Sequence, residues 1–259
     1  MIRTPITPDF SLFPEPFHFL LDCPVYDSSC SKEARVLYLG RDGGLFVKSA
    51  PKGTLKTEAE MDAFFHSKGL GPEVLHYLSL DQDWLLTRAI PGEDCTHPDY
   101  LRDPKQLCDT TAMLLRRLHE ENPSGCPVNR RETYIASARR NYAAGKFDPD
   151  LFPKGWGFSA KEEAWQEIET NAAFLKGDVL LHGDYCLPNI MLDHWQFSGF
   201  LDLDCGGLGD RHIDLFWGLW SLNYNLKTND YYDRFLDVYG RDVLIPEKLR
   251  TVAALECFL

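Results

Sequence analysis

The stretch His182-Gly183-Asp184-Tyr185-Cys186-Leu187-Pro188-Asn189 decides how this chain is read. It has the spacing H-x-D-x-x-x-x-N, and a second aspartate, Asp202, follows Asn189 by thirteen residues. A loop that performs phosphoryl transfer uses that spacing. The chemistry explains the residue types. One carboxylate orients an acceptor hydroxyl and takes up its proton. An amide oxygen and a second carboxylate hold a divalent cation against phosphate oxygens, because a hard cation prefers oxygen ligands. Asp184, Asn189 and Asp202 supply that set in that order. Asp and Asn also serve as turn formers, but turns alone do not require an Asn five residues after Asp184 and an Asp beyond it.

Outward from this segment, Asp178–Leu181 reads as a short strand leading in. Ile190–Leu192 and Gly199–Asp202 read as the two strands of a hairpin leading out, with Asp202 on the second strand, and three helices follow. Upstream, Leu107, Thr111, Leu114, Leu115 and Leu118 mark one apolar helix face, and 133–143 and 160–175 are helical in pattern. The first third is different. Val36–Leu39 and Leu45–Lys48 flank Arg41-Asp42-Gly43-Gly44, where Asp-Gly suits the positive φ angles of a tight hairpin. A helix carrying Met61, Phe64 and Phe65 stops at Gly69, Gly71 and Pro72. Val74–Leu80 and Trp84–Thr87, either side of Asp81-Gln82-Asp83, predict a second hairpin. The expectation is an α+β chain of two lobes: a small β-rich N-lobe over 1–87, a hinge at 88–92, and a larger helical C-lobe over 93–259.

Composition excludes several classes. The 259 residues carry 44% hydrophobic and 25% charged side chains, as an ordinary soluble globular protein does. With 27 basic against 39 acidic residues the net charge is −12, which argues against a nucleic-acid or anionic-membrane partner and suits a cationic ligand. The longest notable apolar run, Leu215–Trp220, is six residues, too short to span a bilayer. The opening MIRTPITPDF, broken by Pro and Asp, lacks the apolar region of a signal peptide, so a cytoplasmic location is expected. None of the eight cysteines forms a C-x-x-C pair. Reduced, scattered thiols are expected rather than a zinc site.

The run VLLHGDYCLPNIMLDHWQFSGFLDLDCGGLGDRHID, Val179 to Asp214, resembles the core of the aminoglycoside 3′-phosphotransferases: HGD-x-x-x-x-N, a hairpin, G-[FC]-[IL]-D, then G-x-x-D-R-x-x-D. W-L-L-T-R-A-I-P-G at 84–92 and the closing E-C-F-L match in position and type. The resemblance implies a protein-kinase-like fold and an ATP- (or GTP-) and Mg²⁺-dependent kinase of a small, cationic alcohol. It implies Asp184 as catalytic base and Asn189 and Asp202 as metal ligands. Lys48 would bind phosphate, with Glu60 as its helix partner. Phe46 would lie against adenine, whose edge would pair with the C=O of Arg88 and the N–H of Ile90. His182 and Asp214 would brace the loop. Each of these has a plainer rival. Lys48 could be a solvated strand-end lysine. Thr57-x-x-Glu60 fits a capping box, which would turn Glu60 away and leave Glu58 as substitute. Cys186 reads as a small filler.

Other functions fit the sequence less well. Asp202-Leu203-Asp204 superficially resembles the D-x-D of aspartyl-phosphate phosphatases, which would leave the upstream motif unexplained. A catalytically dead binding module would normally have lost the base or a metal ligand. A protein kinase is disfavoured because G-x-G-x-x-G and A-P-E are absent. Among small acceptors, choline-like alcohols and macrolides stand beside aminoglycosides. The acceptor determinants depart from the resemblance. Lys154 stands in a loop where the family has acids. Tyr224 and Asn225 replace acids on the following helix, Cys205 replaces an arginine, and Asp204 replaces a glycine. Glu256 is retained, and Leu259 extends the chain past Phe258. Glu256 and Asp204 are therefore the acceptor-binding candidates, with Asp148 and Asp150 as possible compensators. Kanamycin-like compounds are expected to be accepted poorly.

Overall fold

The structure is a computed structural model and describes residues 3–9, 11, 13–20, 22–30, 32–150, 152 and 155–259. Lys154 lies outside them. In chain order the strands and helices are β1 (Thr4–Ile6), β2 (Val25–Asp27), β3 (Arg35–Leu39), β4 (Leu45–Pro51), α1 (Lys56–Ser67), β5 (Val74–Ser79), β6 (Gln82–Arg88) and β7 (Glu93–Asp94). There follow α2 (Pro98–Leu101), α3 (Pro104–Glu120), α4 (Arg130–Ala143), α5 (Lys161–Asn171), β8 (Val179–Leu181), β9 (Ile190–Asp193), β10 (Gln196–Phe200), β11 (Gly207–Gly209), α6 (His212–Leu226), α7 (Tyr232–Tyr239) and α8 (Pro246–Glu256). The chain forms two compact units, Met1–Asp94 with Met191–Asp204, and Cys95–Ile190 with Cys205–Leu259. The hairpin after the catalytic segment thus belongs with the first unit.

In the first unit six strands form an antiparallel sheet in the order β1-β2-β3-β4-β6-β5. Alternation along β4 sorts its side chains. Leu45 and Val47 join Leu37, Leu39, Trp84 and Leu86 beneath Phe13, Phe17 and Leu20. Ala50 faces the other way with Leu85 and with Leu55 and Ala59 at the start of α1. Phe46 and Lys48 share that second face by register. The β3–β4 connection places Asp42 at φ 52° and Gly43 at φ 86°, the positive values its Asp-Gly dipeptide suits. The short β9–β10 turn does the same without glycine, with His194 at φ 48° and Trp195 at φ 67°. β10 ends at Phe200, so Asp202 is not on the strand as the pattern predicted. It lies two residues beyond, at φ 53°. The three-residue β1 and β2 and the two-residue β7 are too short to show alternation and were not anticipated.

In the second unit α3 packs against α6 and α7, α5 against α8, and α6 against α8. α3 begins at Asp103, whose carboxylate accepts the Gln106 N–H at 3.0 Å, with Pro104 at its first position. Its buried stripe of Leu107, Thr111, Leu115, Leu118 and His119 is apolar but for Thr111 and its last member. β8 pairs with β11 in antiparallel register, Leu181 opposite Gly207. Among the described residues no helix is long and apolar enough to cross a membrane.

Candidate active site

The catalytic segment leaves β8 through Gly183, at φ 87°, where a Cβ would fall 1.8 Å from the Cys205 carbonyl oxygen. Only glycine fits there. The Asp214 carboxylate, fully buried in the first turn of α6, accepts the backbone N–H groups of His182 at 2.8 Å and Gly183 at 2.7 Å. His119 at the end of α3 meets the same carboxylate through Nε2 at 3.1 Å, and its Nδ1 meets the Tyr239 hydroxyl at 2.7 Å. The partners set the tautomer: Nε2–H donates to Asp214 and Nδ1 accepts from Tyr239. Burial outweighs the pull of Asp214 and holds His119 neutral, below its ordinary value. Asp210, four residues before Asp214, accepts from the N–H of Lys176 at 2.7 Å and from buried Lys248 of α8 at 2.7 Å.

Downstream of Gly183 the loop is pinned at each step. His182 Nδ1 accepts the Asp184 N–H at 3.3 Å, Tyr185 donates its hydroxyl to the Thr111 carbonyl at 2.7 Å, and the Leu187 N–H donates to Ser221 Oγ of α6 at 2.9 Å. The Asn189 amide N–H₂ donates to both the Asp184 carboxylate (2.9 Å) and the Asp184 carbonyl (3.0 Å). That bonding assigns the Asn189 nitrogen and leaves its amide oxygen for another partner. Burial pushes the Cys186 thiol well up, so it stays protonated and is a poor nucleophile.

Glu256, at the end of α8, is buried, and its Oε1 accepts from Trp217 Nε1 at 2.9 Å and from the Tyr134 hydroxyl. Burial lifts its carboxyl to about 7 against the pull of those two donors, and the negative charge of Asp184 adds to the rise.

In the first unit, Lys48 Nζ lies 2.8 Å from Glu58 Oε1 and 3.2 Å from Asp202 Oδ1. Glu60 is not the partner: it is exposed on α1 and pairs with Lys56 at 3.4 Å. No capping box forms either, because the residue preceding α1 is Leu55, which makes no side-chain cap. The helix turns 3.6 residues per revolution, so residues two apart project to nearly opposite sides, and Glu58 and Asp62 face inward while Glu60 does not. Burial works against the Lys48 ammonium, but the carboxylates of Asp202 and Glu58 outweigh it and raise its pKa. At Glu58 the balance reverses, and burial beats Lys48 to leave that carboxyl above its ordinary value. Asp62 is also buried, and its Oδ1 has no partner among the described residues.

The remaining candidates are placed as follows. Phe46 is half-buried beside Tyr38, ring centroids 5.2 Å apart. The Arg88 side chain pairs with Glu73 at 2.8 Å and its backbone N–H donates to the Glu73 carbonyl at 2.9 Å, so its C=O is the group considered for a nucleotide role. The Ile90 side chain lies against Gly199, where a Cβ would come within 2.6 Å of Ile90 Cδ1. Asp202 and Asp204 are exposed. Sequence reasoning missed His119, Tyr239, Tyr134 and Trp217. Of these only His119 left a signal, as the one histidine among the buried residues of α3.

The sequence pattern of the phosphotransferase enzyme family matches residues 31–253. A probable aminoglycoside 3′-phosphotransferase of Lactococcus lactis subsp. lactis (strain IL1403) is 47% identical over 249 residues, covering 95% of each chain. The chain belongs to the aminoglycoside 3′-phosphotransferase family. Among solved structures, this phosphotransferase is similar to an aminoglycoside 3′-phosphotransferase of type VIII, with a TM-score of 0.72 and 28% identity over 90% of this chain and 91% of that one. It is also similar to an aminoglycoside phosphotransferase of Streptomyces rimosus in complex with ADP and streptomycin, with a TM-score of 0.69 and 25% identity over 86% and 90% of the two chains.

Proposed function

We propose that this phosphotransferase moves the γ-phosphoryl group of ATP to a hydroxyl of an aminoglycoside. The observation that carries the reading is the Asp184 carboxylate, oriented by Asn189 on a turn clamped by Asp214, in a chain 47% identical to a probable aminoglycoside 3′-phosphotransferase.

Asp184 accepts a hydrogen bond from the acceptor hydroxyl and takes its proton as the new O–P bond forms. The bond from the γ-phosphorus to the β,γ-bridging oxygen breaks, and ADP leaves with that electron pair. Lys48, kept cationic by the carboxylates of Asp202 and Glu58, balances phosphate charge. Phe46 offers its ring to adenine, and the backbone of Arg88 and Ile90 its polar edge. The Asn189 amide oxygen and the exposed Asp202 carboxylate are hard donors of the kind Mg²⁺ prefers. When bound, the metal neutralises the charge of the transferring phosphoryl group. Glu256 receives an ammonium group of the acceptor, and Asp204 is the second carboxylate for that purpose. With the acids at 224 and 225 replaced, acceptor affinity is lower than in a fully acidic pocket. A reaction that consumes ATP supports the expected cytoplasmic location.

The test is transfer of labelled γ-phosphate by the full chain with Mg²⁺, using ATP or GTP, over kanamycin, streptomycin, a choline-like alcohol and a macrolide. Labelled kanamycin with stoichiometric ADP is expected. Label only in the alcohol or macrolide sinks the acceptor assignment, label trapped on the protein favours the phosphatase alternative, and no transfer by folded protein sinks the kinase reading.

A further inference from the structure

α6 carries no acid from Trp217 to Leu226, the half of the helix that leads away from Glu256. In place of carboxylates it presents rings. Trp217, Trp220 and Tyr224, at i, i+3 and i+7, share one face of the helix. The stripe starts beside the reaction centre: Trp217 holds Glu256 at 2.9 Å, and Glu256 is close enough to Asp184 to feel its charge. It ends about 10 Å further along the axis, at 1.5 Å per residue, a span comparable to two sugar rings.

The outer part of the stripe is not core. Trp220 and Tyr224 are stacked with centroids 5.0 Å apart and planes 14° from parallel, and Tyr224 is 55% exposed. A cation is already seated on it. Lys227 Nζ lies 4.0 Å from the centre of the Tyr224 ring. Lys227 reaches that position from the helix C-cap, where it adopts a left-handed backbone at φ 57°, a conformation that glycine or asparagine adopts more readily. Asn225, the other position where the resemblance expects an acid, turns its amide inward onto the Ser221 carbonyl at 2.8 Å.

We infer that the Trp220–Tyr224 stack is an ammonium-binding subsite for the acceptor, held in this structure by the chain's own Lys227 as a displaceable surrogate. The negative face of the stacked rings supplies by cation–π attraction what carboxylates supply elsewhere. Lys227 demonstrates the geometry and competes for it. An acceptor with two ammonium groups separated by roughly two sugar rings would engage Glu256 with one and Tyr224 with the other. The inference rests on the proposed acceptor class and assigns its second contact.

The experiment is calorimetric titration of kanamycin into the full chain without nucleotide, comparing wild type with Tyr224→Leu, Tyr224→Phe and Lys227→Gln, each checked for an unchanged melting temperature. Tyr224→Leu should weaken binding by about three- to thirtyfold, the range of a cation–π contact from exposed to desolvated. Tyr224→Phe, which keeps the ring face, should bind like wild type, and Lys227→Gln should bind severalfold tighter. Affinities within twofold across the set, weaker binding by Lys227→Gln, or no binding by wild type would overturn the subsite. Binding that shifts as expected without turnover would support the subsite and count against the proposed reaction alone.

Discussion

Asn189 donates its side-chain amide to the Asp184 carboxylate at 2.9 Å and to the Asp184 carbonyl at 3.0 Å, so the residue assigned to the metal also sets the orientation of the residue assigned to the acceptor. Asp184→Asn should therefore lower kcat by at least about a hundredfold while nucleotide affinity is retained. Asn189→Leu should lower kcat too, since it frees the Asp184 side chain as well as removing an oxygen donor. Steady-state kinetics decide this, and a tenth of wild-type kcat surviving in Asp184→Asn is incompatible with a base.

The pairing of Lys48 with Glu58 separates two neighbouring acids. Glu58→Gln should raise KM for ATP severalfold, because the ammonium loses the carboxylate that fixes it. Glu60→Gln, on the solvent side of α1, should leave KM within twofold. Equal effects of the two would mean that helix α1 does not present Glu58 to the nucleotide.

Asp214 is fully buried and accepts two backbone N–H groups as well as His119. Asp214→Ala leaves those donors unsatisfied and should cost about 2–5 kcal/mol of stability. Urea denaturation measures it, and a loss below about 1 kcal/mol would remove Asp214 as a brace. His119→Gln, which keeps a donor near Nε2, should retain more kcat than His119→Asn, which does not.

Glu256 links stability to pH. Its carboxyl is lifted by burial from 4.5 to about 7, so between those values the folded state binds a proton that the unfolded state has lost. Stability from this group is whole below 4.5 and falls as pH rises through 7, by an amount on the order of 3 kcal/mol. Glu256→Gln still accepts from Trp217 and Tyr134 and should flatten that decline. Melting curves from pH 4.5 to 8 check it. The same titration makes the wild-type KM for a cationic acceptor fall as pH rises through about 7, as the carboxylate forms.

The local elements were legible where the chain writes them locally. Apolar segments either side of turn residues exposed β3 to β6, and the stripe from Leu107 to Leu118 exposed α3. Three-residue β1 and β2 carry no period to read, and only pairing in the sheet, β1 on β2 and β2 on β3, makes them strands. Gly199–Asp202 continues an extended pattern, which predicts Asp202 on the strand. The backbone instead turns left-handed there, and this brings the carboxylate to Lys48.

By itself the sequence carried the expectation of phosphoryl transfer. A kinase-like catalytic loop places a base, an amide oxygen and a second carboxylate close together in the chain, and Asp184, Asn189 and Asp202, the candidates for those roles, stand within nineteen residues of one another. What only the tertiary structure decided is which side chains support those three. Glu58 rather than Glu60 faces Lys48 because the phase of α1, invisible in composition, points one inward and the other to water. His119 reaches Asp214 across 95 residues of chain, and Tyr134 reaches Glu256 across 122. Pairings that distant depend on how helices pack, and no local pattern encodes them.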